Sequence, residues 1–399
     1  MKRRLPPILM TLVLVCALPI WAAFVTSGDV TNPLVSTAWA TLPDLQAKID
    51  AAADNATITL DSNTEIAATL QITKNLTLDL NGCTLRMTGD GSVLKVSGRA
   101  TLTITDSRPQ NPHTGSYAGL PAGGVITGGK ADKGGGILLA GGCTLKLTGG
   151  CITDCHATDT GGGGVVLNGD TAILYMSGTA RIENCTAGET WGANAIFNSG
   201  TMYADGGTVD GTVNNQGTIR LSEGAAAETV FNGTVYNRSA GTIKAGRYNE
   251  TVENRGTITG GIFYGGVTND GGKINDGAYE TVTFNSDGGT PVEEAKVLRG
   301  QKVAKPTDDP TKSGYTFTGW EDANGAGAYD FNTPVIAPLT LTAKWEKNPS
   351  SGGYYYYPTP DTKADDVKGS PKTADPGVAL YAALSLLSLT GLTCATKKR

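Results

Sequence analysis

Between Thr57 and Asp106, hydrophobic and polar residues alternate in short runs: TITL (57–60), LTLDL (76–80), CTLRM (83–87), VLKVS (93–97) and LTITD (102–106). Each run turns Leu, Ile or Val to one side and Thr, Asp or Lys to the other, the period of a half-buried strand. Turns containing Asn81-Gly82 and Asp90-Gly91 separate them. Before the first run, Leu42, Leu45, Ile49 and Ala52 recur at helical spacing. A short helix is expected there, with Thr41 as N-cap and Pro43 in its first turn.

Farther on, the alternation itself repeats. GGGILLAGGCTLKLTGGCITDCHA starts at Gly134, and GGGVVLNGDTAILYMSGTARIENCTA starts at Gly162. The offset is 28 at the glycines and 30 at the end, so Ile152 matches Ile182, Cys155 matches Cys185 and Ala157 matches Ala187. A period near 30 with three short strands describes one coil of a parallel β-helix. One coil cannot bury its inner face, and stacking on the next lets like residues sit over like. Asn-x-Gly-Thr elements then recur as NSGTM (198–202), NQGTI (215–219) and NRGTI (254–258), with NDGGKI at 269–274; their Asn positions lie 17, 39 and 15 residues apart. The initial helix would cover the open end of this stack.

After residue 278 the pattern changes. Leu339, Leu341, Ala343 and Trp345 alternate with Thr340, Thr342, Lys344 and Glu346, and Tyr315, Phe317 and Trp320 are expected to complete an aromatic core. Residues 347–369 are Pro-, Gly- and Ser-rich, lack an apolar period and read as a linker, with Tyr354–Tyr357 as part of a semi-rigid tether.

Both termini have the form of targeting segments. Lys2, Arg3 and Arg4 precede an uncharged stretch, and Ala38-Trp39-Ala40 supplies the small residues of a cleavage site. Residues 1–40 therefore read as a helical signal peptide cut after Ala40. At the other end, residues 378–396 (VALYAALSLLSLTGLTCAT) are uncharged and reach about 28 Å as a helix, enough for a transmembrane segment. The basic tail Lys397, Lys398 and Arg399 would stay on the cytoplasmic side. The expected domains are thus 1–40, 41–278, 279–346, 347–369 and 370–399.

Gly occupies 55 of the 399 positions, which suits a turn-rich β protein. The net charge is −5, and trimming both termini removes more basic than acidic residues. An acidic surface repels phosphate backbones, so nucleic acid is excluded as a partner.

Ser370-Pro371-Lys372-Thr373-Ala374, ahead of the apolar span and basic tail, resembles the cell-wall sorting signal of Gram-positive surface proteins. That resemblance implies a sortase that cuts after Thr373 and joins its carbonyl to a peptidoglycan amine. Ser370 and Ala374 depart from the usual Leu and Gly. LDLNGCTL (78–85), TLTITDS (101–107) and GGVITGG (123–129) resemble phrases of the pectin-lyase-like right-handed β-helices. GYTFTGW, followed by LTLTAKW, resembles the Listeria–Bacteroides repeat, an internalin B-repeat-like module with a β-grasp-like fold. The implied fold class is all-β: a right-handed parallel β-helix solenoid, then a small β-grasp-like domain. The membrane is met only through the C-terminal segment before sorting.

Candidate chemistry is sparse. Cys155 and Cys185 fall one coil apart, within disulfide range or stacked as buried thiols, and the thiol stack is preferred. Cys151, Cys155 and His156 lack an obvious fourth metal ligand. The aligned coils set Thr153 over Glu183 and Asp154 over Asn184, and neither stack pairs two carboxylates. His113 and His156 have no Ser or Cys partner that sequence places beside them. No catalytic residue, metal or cofactor is assigned. The expected function is a non-catalytic surface adhesin or display stalk, binding glycan or a host or matrix protein. The alternative is a wall-anchored polysaccharide lyase or glycoside hydrolase, whose groove would bring Asp and Glu side chains together.

Overall fold

The computed structural model describes residues 44–159, 161–188, 193–322 and 327–349. The signal cleavage residues Ala38 and Ala40, the pentapeptide 370–374 and the apolar span 378–396 lie outside them. Among the described residues, no helix is long and apolar enough to cross a membrane.

The alternating runs become strands of mostly two to five residues that follow one another around a circuit. Each pairs in parallel with its counterpart one circuit later. Thr101 faces Thr144, then Ile173, Thr201, Thr218, Thr242 and Thr257. Three long ladders result. The first runs from Ala56–Thr59 to Lys273–Ile274, and the second from Thr64–Ile66 to Ile262–Phe263. They share one 17-stranded sheet because Ile173–Glu183 and Thr201–Val209 pass through both. The third is a nine-stranded sheet from Leu70–Ile72 to Val267–Asn269.

Inward positions form continuous columns. Leu102, Leu145, Leu174, Met202, Ile219, Ile243 and Ile258 stack in register and are fully buried. Phe231, Tyr248 and Phe263 stack at 4.9 and 5.1 Å between ring centroids, and Tyr248 Oη donates to the Ala245 carbonyl. The 30-residue offset places Ile152 beside Ile182 and Thr153 beside Glu183.

The recurring asparagines form one ladder, buried from Asn198 to Asn254 and exposed at Asn269. Asn198 Nδ2 donates to Asn215 Oδ1, Asn215 to Asn237, Asn237 to Asn254 and Asn254 to Asn269, each at 2.7 or 2.8 Å. Asn237 fills the 39-residue gap between Asn215 and Asn254. Its own motif, NRSAGTI, has an insertion before Gly-Thr and so escapes the sequence pattern. Buried amides need such partners because an unpaired one keeps its full desolvation cost.

Both ends of the stack are covered. The N-terminal helix, α1 (Leu45–Ala51), is capped by Asp44, which accepts from Ala47 N, rather than by Thr41. Leu45 and Ile49 are buried on the first circuit. At the far end, Tyr279–Asn285, Ala295–Leu298, Tyr315–Asp322 and Leu339–Lys347 form a four-stranded mixed sheet with the first and last as its central, parallel pair. Trp320, Leu341 and Ala343 make its core, with Phe317 and Trp345 packed against them. Tyr315 does not join this core: it is 38% exposed, with Lys312 Nζ 5.0 Å from its ring centroid. Phe263 N donates to Arg299 O, and Gln301 Nε2 reaches the carbonyls of Phe263 and Tyr264. The small sheet thereby seals the last circuit.

Candidate functional site: a glycine-floored groove

On each circuit from the third to the sixth, the corner between the first and second ladders carries glycine: Gly124, Gly150, Gly178, then Gly206 and Gly207. Gly178 shows why. Its φ is +60°, and a Cβ there would lie 2.4 Å from the Thr148 carbonyl oxygen. The chain turns too tightly for a side chain, so the corner is low.

Two longer connections rise from the same corner. Residues 106–124 join Thr101–Thr105 to Val125–Thr127, and residues 221–229 join Thr218–Arg220 to Val230–Phe231. Between them lies a groove of about 570 Å³. Its polar lining comes from Asp106, Gln110, Thr179, Arg181, Thr208 and Glu228.

The first wall is pinned by side-chain hydrogen bonds. Asp106 accepts from the backbone N–H of Gly82 (2.7 Å), Arg108 (3.2 Å) and Gly124 (2.6 Å). The His113 ring bridges the Gly123 carbonyl (2.7 Å) and Thr84 Oγ1 (3.3 Å). Arg181 Nη2 donates to the Ala122 carbonyl at 3.1 Å, and its Nη1 stands 3.9 Å from Glu183 Oε2.

The outward face of the second ladder carries two rows beside the groove. Cys151, Arg181, Thr208 and Val230 make the first by register. Thr153 and Glu183 begin the second. Ile182 faces Val209, so Asp210 follows Glu183 one circuit on, and Asp210 N donates to the Ile182 carbonyl at 2.8 Å. Asn232 Nδ2 then donates to Asp210 Oδ1 (2.5 Å), and Asn249 Nδ2 to Asn232 Oδ1 (2.7 Å). Two carboxylates, Glu183 and Asp210, therefore lie on adjacent circuits of one row, the first of them 3.9 Å from Arg181 Nη1. Sequence alignment missed this pair because it stopped at Ala187. The signal was there in TARIE (179–183) against GGTVD (206–210). Thr153 Oγ1, one circuit before Glu183, is fully buried with no hydrogen-bond partner among the described residues.

The sequence-selected cysteines lie elsewhere. Cys155 and Cys185 are free thiols turned into the core, where Cys155 Sγ donates to Thr153 O (3.4 Å) and Cys185 Sγ to Ile152 O (3.7 Å). Hydrogen bonding to Cys185 and burial push the Cys155 thiol well above its ordinary range. Cys151 is on the opposite face of its strand, raised by burial and by the Glu183 charge. The Cys151–Cys155–His156 trio is thus divided between two sides of the wall. His156 Nδ1 pairs with Thr186 Oγ1 at 2.8 Å. Among the described residues, no group of three His, Cys, Asp or Glu is placed to hold a metal ion.

A second outward feature lies on the first ladder. Tyr175 and Tyr203 stack at 4.4 Å, with Lys146 over one outer ring face and Arg220 over the other. The ring faces are occupied, which leaves only edges to solvent.

Residues 281–344 match the Listeria-Bacteroides repeat domain family. Two proteins of Evansella cellulosilytica are similar over 70 residues, 17% of this chain: one provisionally named a Gly-rich membrane protein (40% identical) and one provisionally named a membrane protein (39%). The chain spans 8% and 10% of their lengths. No solved structure matches the chain.

Proposed function

We propose that this chain is a non-catalytic bacterial surface protein that holds a glycan in the groove. In this reading the stacked parallel sheets are a right-handed, pectin-lyase-like β-helix. The four-stranded sheet is its β-grasp-like terminal module, and a sortase attaches Thr373 to peptidoglycan. The groove carries the proposal, because a plain stalk needs no walled cleft with a polar lining, whereas a polysaccharide strand does. The repeat module, its membrane-named relatives and the apolar span before Lys397 support a surface location.

Mass spectrometry of peptides released from purified cell wall by muramidase tests the attachment. A peptide ending at Thr373 and bearing a peptidoglycan fragment is the expected product of transpeptidation, in which the Thr373–Ala374 amide breaks and a wall amine takes the carbonyl. A chain that keeps residues 378–396 in the membrane fraction would make it a membrane-tethered ectodomain.

Glu183 and Asp210 favour one second reading, a wall-anchored lyase or glycoside hydrolase in which the pair acts as acid and base. Incubation with bound polysaccharide separates the two. New reducing or unsaturated ends would establish the enzyme; retention of an intact polymer supports the binding protein.

A further inference from the structure

We infer that a second groove, at the first end of the stack, is the seat of the chain's own residues Thr41, Leu42 and Pro43, which lie outside the described residues. This groove, of about 590 Å³, runs between α1 and the turn of chain that holds Thr64–Ile66. Asp44 belongs to its lining and directly follows Pro43, so the segment starts inside the groove. α1 leaves this side of the stack open. Its Gln46 is spent on Gln71, in the third ladder, and its Lys48 stands 3.6 Å from Asp61. Thr64–Ile66 is the first strand of the second ladder, and among the described residues it pairs with 85–87 alone. Ile66 O accepts from Thr88 N at 2.8 Å, so Ile66 faces the next circuit. Successive residues of a parallel strand bond to opposite sides, and Glu65 therefore turns its N–H and carbonyl toward the groove.

The segment has the conformation such an edge accepts. A residue before proline is held extended, as Leu42 is, and the ring of Pro43 fixes its φ near −65°. Asp44 continues in the same form, with φ −57° and ψ 162°. Three extended residues reach about 10 Å, the length of the three-residue strand they would lie along. Pro43 is no obstacle at an edge, where the position of its missing N–H can face solvent. The apolar surface matches as well. Ile66 is half-buried and Ala67 and Ala68 are exposed in the groove, beside the buried Leu60 and Leu70. Leu42 supplies the one long aliphatic side chain of the three residues, and alternation turns it to the opposite face from Thr41 and Pro43. An edge filled in this way is closed to a second copy of the chain.

Hydrogen exchange of the full chain tests the pairing. The Glu65 amide is expected to be protected. Leu42→Asp is expected to speed its exchange about tenfold or more, while Gln71 and the central circuits keep their protection and Leu42→Ile leaves Glu65 slow. Exchange at Glu65 as fast as at an open amide in the unaltered chain would overturn the inference. An unchanged rate in Leu42→Asp would overturn the role given to Leu42. Photo-crosslinking from p-benzoylphenylalanine at position 42 locates the segment independently. A crosslink to residues 59–70 of the same chain is expected. A crosslink to a second copy would overturn the inference and assign the groove to self-association; a crosslink elsewhere, or none, would overturn it outright. The Glu65 rate in the unaltered chain and the crosslink both stand even if Leu42→Asp unfolds.

Discussion

The side-chain amide of Gln46 takes the place of a strand against Gln71. Its Nε2 donates to the Gln71 carbonyl at 3.2 Å, and its Oε1 accepts from the Gln71 N–H at 2.8 Å. Gln71 lies in the first strand of the nine-stranded sheet, so these bonds satisfy an edge that would otherwise be open to another chain. Gln301 does the corresponding work at the other end, through the Phe263 and Tyr264 carbonyls. Gln46→Ala should therefore cost about 1 kcal/mol, the net value of such bonds at an exposed edge. Hydrogen exchange at the Gln71 amide should accelerate, while amides of the central circuits keep their protection.

The two amide ladders should respond differently to the same deletion. Asn237→Ala removes the acceptor of Asn215 Nδ2 and the donor to Asn254 Oδ1, all fully buried. A loss of about 2–4 kcal/mol is expected, because no water reaches the orphaned groups. Asn249→Ala breaks an exposed bond to Asn232, which solvent replaces, and should cost less than about 1 kcal/mol. Denaturant midpoints of the two variants give the comparison.

Gly300→Ala tests the seal between the last circuit and the small sheet. Gly300 has φ +94°, and a Cβ would lie 2.7 Å from Phe263 N. The substitution should destabilise by roughly 1–3 kcal/mol through backbone strain and contact. Faster exchange at the Phe263 amide, which donates to Arg299 O at 2.8 Å, is the local readout.

Buried acids set an alkaline limit. The Cys155 thiol is held above its ordinary 9.0 by Cys185 and burial, and Tyr248 above its ordinary 10.0 by burial. The folded chain then keeps protons that the unfolded chain releases. Stability is full below the unfolded values and declines as pH rises through them. The denaturation midpoint should start to fall near pH 9, with a shallower fall in the Cys155→Ala, Cys185→Ala double variant. Iodoacetamide should leave both thiols unmodified in the native chain and label them after unfolding.

Strand positions and the stacking of 134–157 on 162–187 were legible in the sequence because both rest on local alternation and on identical phrases. Leu339, Leu341 and Ala343 were legible for the same reason. Adjacency between circuits of unlike length was not. Thr242 and Thr257 are neighbours 15 residues apart, whereas Thr101 and Thr144 are neighbours 43 apart. A ladder bond fixes which residues meet but leaves the corner between them free to lengthen. Sequence spacing therefore could not insert Asn237 into the amide ladder or set residues 106–124 opposite 221–229. Nor could it distinguish Tyr315, left beside Lys312 at a strand end, from Trp320, which is buried farther along the same strand. The sequence by itself determined which residues alternate, which faces they bury and where repeats begin. Only the tertiary structure decided which circuits touch and where a groove opens, because those follow from how far each corner bulges once the core columns are in register.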